Sequence, residues 1–185
     1  MARTPSAMIP LGTIAPNFTL PDVRTNSTLS LSKYKSDIAT VIMFVCNHCP
    51  YVKHIQHKLV GVANDYIAKG IRFIAINSND VKNYPDDSPL EMKKTAEENN
   101  YPFPYLFDET QMTAKDYQAA CTPDFFVFDA QLKCVYRGRF DDSTPGNQVP
   151  VTGTDLSQAL DAILEGRAVN EDQKQSVGCN IKWKK

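Results

Sequence analysis

Ala39-Thr40-Val41-Ile42-Met43-Phe44-Val45 runs straight into Cys46-Asn47-His48-Cys49-Pro50, and beyond it Val52, Ile55, Leu59, Val62, Ala63, Tyr66 and Ile67 recur at helical spacing until Gly70. The first part is apolar and rich in β-branched residues with no polar alternation, the pattern of a strand buried on both faces. The last part carries one apolar stripe and ends at a glycine placed just beyond it, the pattern of a helix packed on one side. Two cysteines, separated by Asn47 and His48, therefore sit where a buried strand gives way to an amphipathic helix.

That position carries chemistry. The first N–H groups of a helix have no acceptor within it, and together with the macrodipole they favour negative charge. A thiol placed there loses its proton more readily, and the thiolate is the nucleophile. A second thiol beside it can attack the resulting mixed disulfide and displace the partner. His48, when protonated, adds a positive charge next to either sulfur. The plain alternative, a cysteine buried at a strand end, suits a single residue better than this pair.

Working outward, Ile71–Asn77 predicts a second buried strand. Ser88-Pro89-Leu90-Glu91 predicts a helix start, with a serine cap, proline in the first turn and Glu three residues after the cap. That helix should run to about Glu98 and stop at Asn99-Asn100. Tyr105–Asp108 predicts a short strand, followed by a helix around Gln111–Gln118. Phe125–Phe128 and Lys133–Arg139 predict two strands joined by a hairpin at Asp129-Ala130-Gln131. Thr154 is expected to cap a last helix whose Leu156, Leu160, Ile163 and Leu164 face inward until Gly166. Upstream, Gly12–Asp22 with Pro16 and Pro21 suggests an extended arm or edge strand, and Ser30–Tyr34 a turn or short helix. Residues 169–185 show no periodicity. The alternation of strands and helices gives an α/β class: a central mixed sheet with helices on both faces, an N-terminal extension, and one domain over residues 1–185 with a tail from 170.

Bulk properties narrow the partners. The chain has 185 residues, 42% of them apolar and 22% charged, with a net charge of −1. Such a balance offers no broad attraction for nucleic acid or an anionic membrane surface. The apolar run at 41–46 is too short to span a bilayer, and residues 1–12 do not read as a secretory signal. A cytoplasmic protein is expected. Five cysteines (Cys46, Cys49, Cys121, Cys134 and Cys179) make an odd number in a chain long enough to fold without disulfide staples. They point to reactive thiols mixed with inert buried ones.

The arm Ala15-Pro16-Asn17-Phe18-Thr19-Leu20-Pro21-Asp22, the strand–cysteine–helix segment, and Thr122-Pro123 ahead of Phe125-Phe126-Val127-Phe128-Asp129 together resemble the thioredoxin superfamily. More narrowly, Cys46-Asn47-His48-Cys49-Pro50, Asp141-Asp142, Pro145-Gly146-Asn147 and the tail Gly178-Cys179-Asn180-Ile181-Lys182-Trp183 resemble peroxiredoxin-like members of the AhpC/TSA type. The resemblance covers nearly the whole chain. It implies a thioredoxin-like fold and thiol–disulfide oxidoreductase activity in cell redox homeostasis, with no cofactor and no metal. It implies a protein or small-molecule disulfide or thiol as substrate, an unnamed reducing partner, and a monomer or homodimer. It also implies that Pro123 is a cis-proline across from the reactive cysteine, that Thr122 offers backbone groups to a substrate chain, and that Cys121 lies near this loop.

Two registers then compete for the nucleophile. With Phe44 as the strand phenylalanine of thioredoxin-like proteins, Cys49 takes the first redox position and caps the helix, while Val52 falls at the second. Cys46 must then serve from the loop side. In the other register Cys46 attacks and Cys49 resolves. The helix-cap argument favours Cys49. A peroxidase is an alternative, yet Val52 stands where the resemblance would place the peroxidatic cysteine, and Arg137 or Arg139 would have to support it. A copper or zinc carrier is a further alternative built on Cys46, His48, Cys49, His54 and His57, although the last two are expected to be solvent-exposed. Cys179 is a candidate resolving thiol if the tail docks near Cys49, Cys134 a buried inert one, and Asp141-Asp142 a solvated or substrate-facing loop.

Overall fold

The computed structural model describes residues 3–185. Strands β1 (Arg3–Pro5), β2 (Thr19–Asp22) and β3 (Ser27–Ser30) precede a short helix α1 (Leu31–Tyr34). Then come β4 (Ala39–Phe44), α2 (Pro50–Ile67), β5 (Arg72–Asn77), a 3-10 turn at Pro85–Asp87, α3 (Pro89–Glu98), β6 (Tyr105–Phe107) and α4 (Met112–Asp116). The chain ends with β7 (Cys121–Thr122), β8 (Asp124–Asp129), β9 (Cys134–Gly138), α5 (Thr154–Leu164) and β10 (Val177–Asn180).

The main sheet has the order β3-β2-β6-β5-β4-β8-β9. Its centre is parallel where β4 meets β5 and β5 meets β6, and antiparallel where β4 meets β8. All of β4 is buried, and its side chains divide between two cores. Val41 and Met43 pack with Val52, Ile55, Leu59, Met92, Leu156 and Leu160 from α2, α3 and α5. Ile42 and Phe44 pack on the other face with Leu31, Ala114, Tyr117 and Phe126. A strand covered by helices on both faces has no polar side to show, which is why its sequence lacks alternation. The α3 start is as read, with Ser88 Oγ accepting from the Glu91 N–H at 3.5 Å and Asn100 turning left-handed at φ 51° beyond its end.

Several expectations need correction. The arm divides: residues 12–15 run extended along the β9 edge, bridging Ile14 to Lys133, whereas β2 lies between β3 and β6 and leaves the opposite edge to Ser27–Ser30. The last hairpin is longer than Asp129-Ala130-Gln131. Leu132 adopts φ 59°, the Asp129 carboxylate accepts the Gln131 and Lys133 N–H groups at 2.9 Å, and β9 starts only at Cys134. Helix α5 is capped by Gly153, not Thr154. Gly153 sits at φ 71° against Phe140, where a Cβ would lie 2.6 Å from the ring, and its N–H donates to Asp141 Oδ2 at 2.6 Å. The tail is structured: β10 forms a second sheet of order β1-β10-β7. Among the described residues no helix is long and apolar enough to cross a membrane.

Candidate functional site

The β4-to-α2 junction places Cys49 as the N-cap of α2 at φ −69°, ψ 122°, with Pro50 as the first helical residue. Proline fits there because the first helical N–H has no acceptor in any case. Across from it, the Thr122–Pro123 bond is cis, as the resemblance implied. Thr122 holds both sulfurs of the motif, Cys46 Sγ lying 3.3 Å from its hydroxyl and Cys49 Sγ 3.2 Å from its carbonyl oxygen. Cys49 is 0% exposed and Cys46 2%.

The third thiol at the site comes from the tail. β10 lies antiparallel on β7 with Cys179 opposite Thr122, so Cys179 reaches the Cys49 sulfur. Thr122 was expected to offer its backbone to a substrate chain. In this structure the protein's own tail takes that pairing. Cys121 is close to the loop but buried, with its thiol turned to the Pro123 carbonyl, and burial pushes its pKa strongly up. Cys134 donates to the Tyr136 carbonyl at 3.4 Å and is inert for the same reason.

The electrostatics separate the thiols. Cys49 is lowered to about 5, chiefly because the Cys46 thiol donates to its sulfur, against the effect of burial. Cys179 donates as well, and the Val52 N–H in the first turn of α2 adds less, at longer reach than a cap hydrogen bond. Neighbouring thiols thus outweigh the helix end that the sequence pointed to. Cys46 moves well above the ordinary thiol range, because its proton is held on Cys49 and because burial and the Asp87 charge disfavour its anion. Cys179 is pushed up to about 12 by burial and by its bond to Cys49.

A buried carboxylate that sequence reading missed holds the motif in place. Asp87 accepts the Asn47 N–H at 2.7 Å, His48 Nδ1 at 2.6 Å and Asn79 Nδ2 at 2.7 Å. Asn47 Nδ2 donates to the Asp86 carbonyl, Tyr105 donates to Asn47 Oδ1, and the His48 ring stacks on Tyr84 with centroids 5.5 Å apart. The bond to Asp87 raises the His48 pKa despite burial. Burial would raise Asp87, but its three donors win and its pKa falls. The raised histidine stabilises the fold below its ordinary pKa, and this is lost as pH rises through the folded value. The lowered carboxylate acts above its own ordinary pKa and is lost as pH falls. The pair therefore contributes most between about pH 4 and 6.5. Denaturant unfolding of the wild type and Asp87→Asn should show a larger stability gap at pH 5.5 than at pH 9. Equal gaps at the two values would contradict the assignment.

The other candidates lie elsewhere. Val52 is a core residue at 2% exposure. Arg137 bonds to Gln173 and the Ile9 carbonyl, and Arg139 to Asp155 and Asp142, so both guanidinium groups are engaged away from the sulfurs. Asp141 is a buried structural carboxylate that accepts the Ser143, Thr152 and Gly153 N–H groups, while Asp142 is exposed. The metal set changes too. His57 is exposed and borders Asn99 and Asn100, whereas His54 is half-buried on α2 and not exposed as expected. Cys46, His48 and Asp87 do bring donor atoms within 4.8 Å of one another, but His48 and the amides already use the Asp87 oxygens. A cleft of about 270 Å3 opens beside Pro123, lined by Tyr51, Phe140, Ser143, Ser176 and Val177 among others. A larger cavity of about 530 Å3 is bordered by Tyr136, Gln158 and Val169, and neither it nor the cleft has a cysteine in its walls; the cleft is the one that Pro123 borders.

The chain superposes on the crystal structure of an uncharacterized conserved protein from Geobacillus kaustophilus with a TM-score of 0.98 and 62% identity, covering 100% of this chain and 97% of that one. A hypothetical protein from Sinorhizobium meliloti gives a TM-score of 0.95 and 44% identity over 98% of each chain. The thioredoxin domain of a thiol-disulfide oxidoreductase from Bacteroides vulgatus matches at a TM-score of 0.61 and 19% identity, over 72% of this chain and 91% of that domain, a likeness of fold. No curated protein matches. Residues 11–137, from the N-terminal arm through the reactive segment and the cis-Pro123 loop to β9, match the AhpC/TSA profile, and this thioredoxin-fold chain belongs to the AhpC/TSA family.

Proposed function

We propose that the protein is a thiol–disulfide oxidoreductase in which Cys49 is the nucleophile and Cys46 its resolving partner. The observation that carries this reading is the Cys49 sulfur at the α2 N-cap beside the cis-Pro123 loop, lowered to about 5 by the Cys46 and Cys179 thiols that donate to it. The Cys49 thiolate attacks one sulfur of a substrate disulfide, the S–S bond breaks, and the electron pair leaves on the other sulfur. Cys46 then gives up its proton and attacks Cys49 Sγ. This releases the second substrate thiol and leaves a Cys46–Cys49 disulfide, which an external dithiol reduces. Transfer of the thiol proton from Cys46 as the new bond forms matches the high pKa of that group.

Asp87 orients His48 and raises its pKa, so that the ring, when protonated, places a positive charge beside Cys49. The cleft beside Pro123 offers a peptide or small disulfide apolar walls in Tyr51 and Phe140, and its Ser176 and Val177 lead into the strand that covers Cys49. An odd number of cysteines, in a chain long enough to fold without disulfide staples, suits a reducing compartment such as the cytoplasm. A peroxidase is the poorer reading, because Val52 offers no sulfur and both candidate arginines are tied to other groups.

The test compares oxidants. Fully reduced protein is mixed with a peptide disulfide or, separately, with hydrogen peroxide at equal concentration, and thiol loss is followed. The disulfide should react at least about 100-fold faster and consume two thiols per chain. Faster reaction with peroxide, with sulfenic acid at one cysteine, would overturn the reading.

A further inference from the structure

The tail strand sits on the reactive sulfur. Its residues Val177–Asn180 make the only strand pairing of β7 among the described residues, with Cys179 opposite Thr122 and Asn180 opposite Cys121. The approach is as close as backbone allows: a Cβ on Gly178 would lie 1.9 Å from the Thr122 carbonyl oxygen and 3.2 Å from the Pro123 nitrogen. Only glycine lets the strand rest there. On its far edge β10 is held by β1, where Arg3, Thr4 and Pro5 pair with Cys179, Gly178 and Val177. The consequence is that Cys49 has one thiol donor from the loop before α2 and a second from the tail, and all three sulfurs are buried, Cys179 at 1% exposure.

We propose that Cys179 is a second resolving thiol, forming a Cys49–Cys179 disulfide in competition with the Cys46–Cys49 bond. The inference rests on Cys49 as nucleophile. In the step, the Cys179 thiol loses its proton and attacks Cys49 Sγ of the mixed disulfide. The bond from Cys49 to the substrate sulfur breaks as the Cys49–Cys179 bond forms, and the departing substrate sulfur takes the electron pair and the proton. Cys49 and Cys179 are oxidised, the substrate disulfide is reduced to two thiols, and an external dithiol restores the enzyme.

Three features favour the tail thiol in this role. Asp87 places negative charge near Cys46, opposing its thiolate, whereas Lys182 places positive charge near Cys179. Cys46 belongs to the loop clamped by Asp87, while Cys179 lies on a strand whose ladder partners among the described residues are the short β1 and β7, the chain beyond it being anchored at Lys182 by Asn79, Asp80 and Gln111. Cys49 is sealed beneath that strand, so a substrate that reaches it must lift β10, and the return of β10 delivers Cys179 to the sulfur that carries the adduct.

The test uses the full chain. Wild-type protein is oxidised with one equivalent of a peptide disulfide, free thiols are blocked, and peptides are mapped by mass spectrometry without reduction. In parallel, release of the substrate thiol is timed for wild type, Cys46→Ser and Cys46→Ser/Cys179→Ser. The expected result is a Cys49–Cys179 cross-link in the wild type, which becomes the main product in Cys46→Ser. Release should persist in that variant and fall by about 100-fold in the double variant, which holds the adduct on Cys49. The wild-type map needs no altered protein, so a folding defect in a variant does not decide the matter. If no Cys49–Cys179 cross-link forms and Cys46→Ser alone holds the adduct as firmly as the double variant, the role of Cys179 is overturned while Cys49 remains the nucleophile. An adduct found on Cys46 would overturn the nucleophile and the Cys179 role together.

Discussion

Cys49→Ser is expected to lower the rate of disulfide reduction by three orders of magnitude or more, close to the level without protein. Cys49 is the one cysteine whose pKa moves down, and Cys46, Cys121, Cys134 and Cys179 all move up. Of the five thiols, Cys49 is thus the one expected to be an anion at neutral pH, and the proposed attack starts from it. A serine hydroxyl in its place is neither ionised nor nucleophilic towards sulfur, and neither neighbour can substitute, because each lowered the pKa of Cys49 by keeping its own proton. Circular dichroism should show an intact fold, since the exchange removes no packing volume of consequence. Cys134→Ser, on β9 and bonded to the Tyr136 carbonyl, serves as the control and should retain full activity. Substantial activity in Cys49→Ser, with Cys46→Ser inactive, would assign the attack to Cys46.

The second large effect lies in the tail. Gly178→Ala puts a methyl group 1.9 Å from the Thr122 carbonyl oxygen and 2.6 Å from its carbon, a distance that no rotamer relieves because the clash is with backbone. Either β7 or β10 must move. β10 is the one to yield, since β7 runs into β8, buried from Asp124 to Phe128, while the ladder on the far side of β10 is the three-residue β1. The expected loss of stability is about 1–3 kcal/mol, the range for overpacking a well-packed site. The functional sign is the opposite. With β10 displaced, Cys49 is no longer at 0% exposure, and alkylation by iodoacetamide should accelerate at least about tenfold in the variant. Loss of stability without faster alkylation would mean that β10 does not control access to the thiol.

These two residues also mark the limits of sequence reading. The strand β4, helix α2 and helix α3 were legible because their signals are local: an apolar run, an apolar stripe, a Ser-Pro-x-Glu start. The position of Cys49 at a helix cap followed from Pro50 and Val52. The β10 strand was not legible, because Val177-Gly178-Cys179-Asn180 has no periodicity of its own and gains its structure by pairing with residues far away in the chain. The dependence of Cys49 on Cys179 was hidden with it. Asp87 was equally silent. In Tyr84-Pro85-Asp86-Asp87-Ser88 it looks like one more solvated acid, yet it is fully buried and orders the loop from Asn47 to Cys49 across 40 residues of sequence. The arginine and histidine candidates failed for the converse reason: residue type suggested chemistry, while the fold turns Arg137, Arg139 and His57 elsewhere.

The central claim is that Cys49 is the low-pKa nucleophile of a buried three-thiol cluster. Its most direct test is the pH dependence of single-hit alkylation of reduced wild-type protein, with the modified residue identified by mass spectrometry. The label should fall on Cys49, with a rate that rises through a midpoint near pH 5 and levels off before neutrality. Labelling led by Cys46 or Cys179, or a midpoint in the ordinary thiol range near pH 8.5, would contradict it.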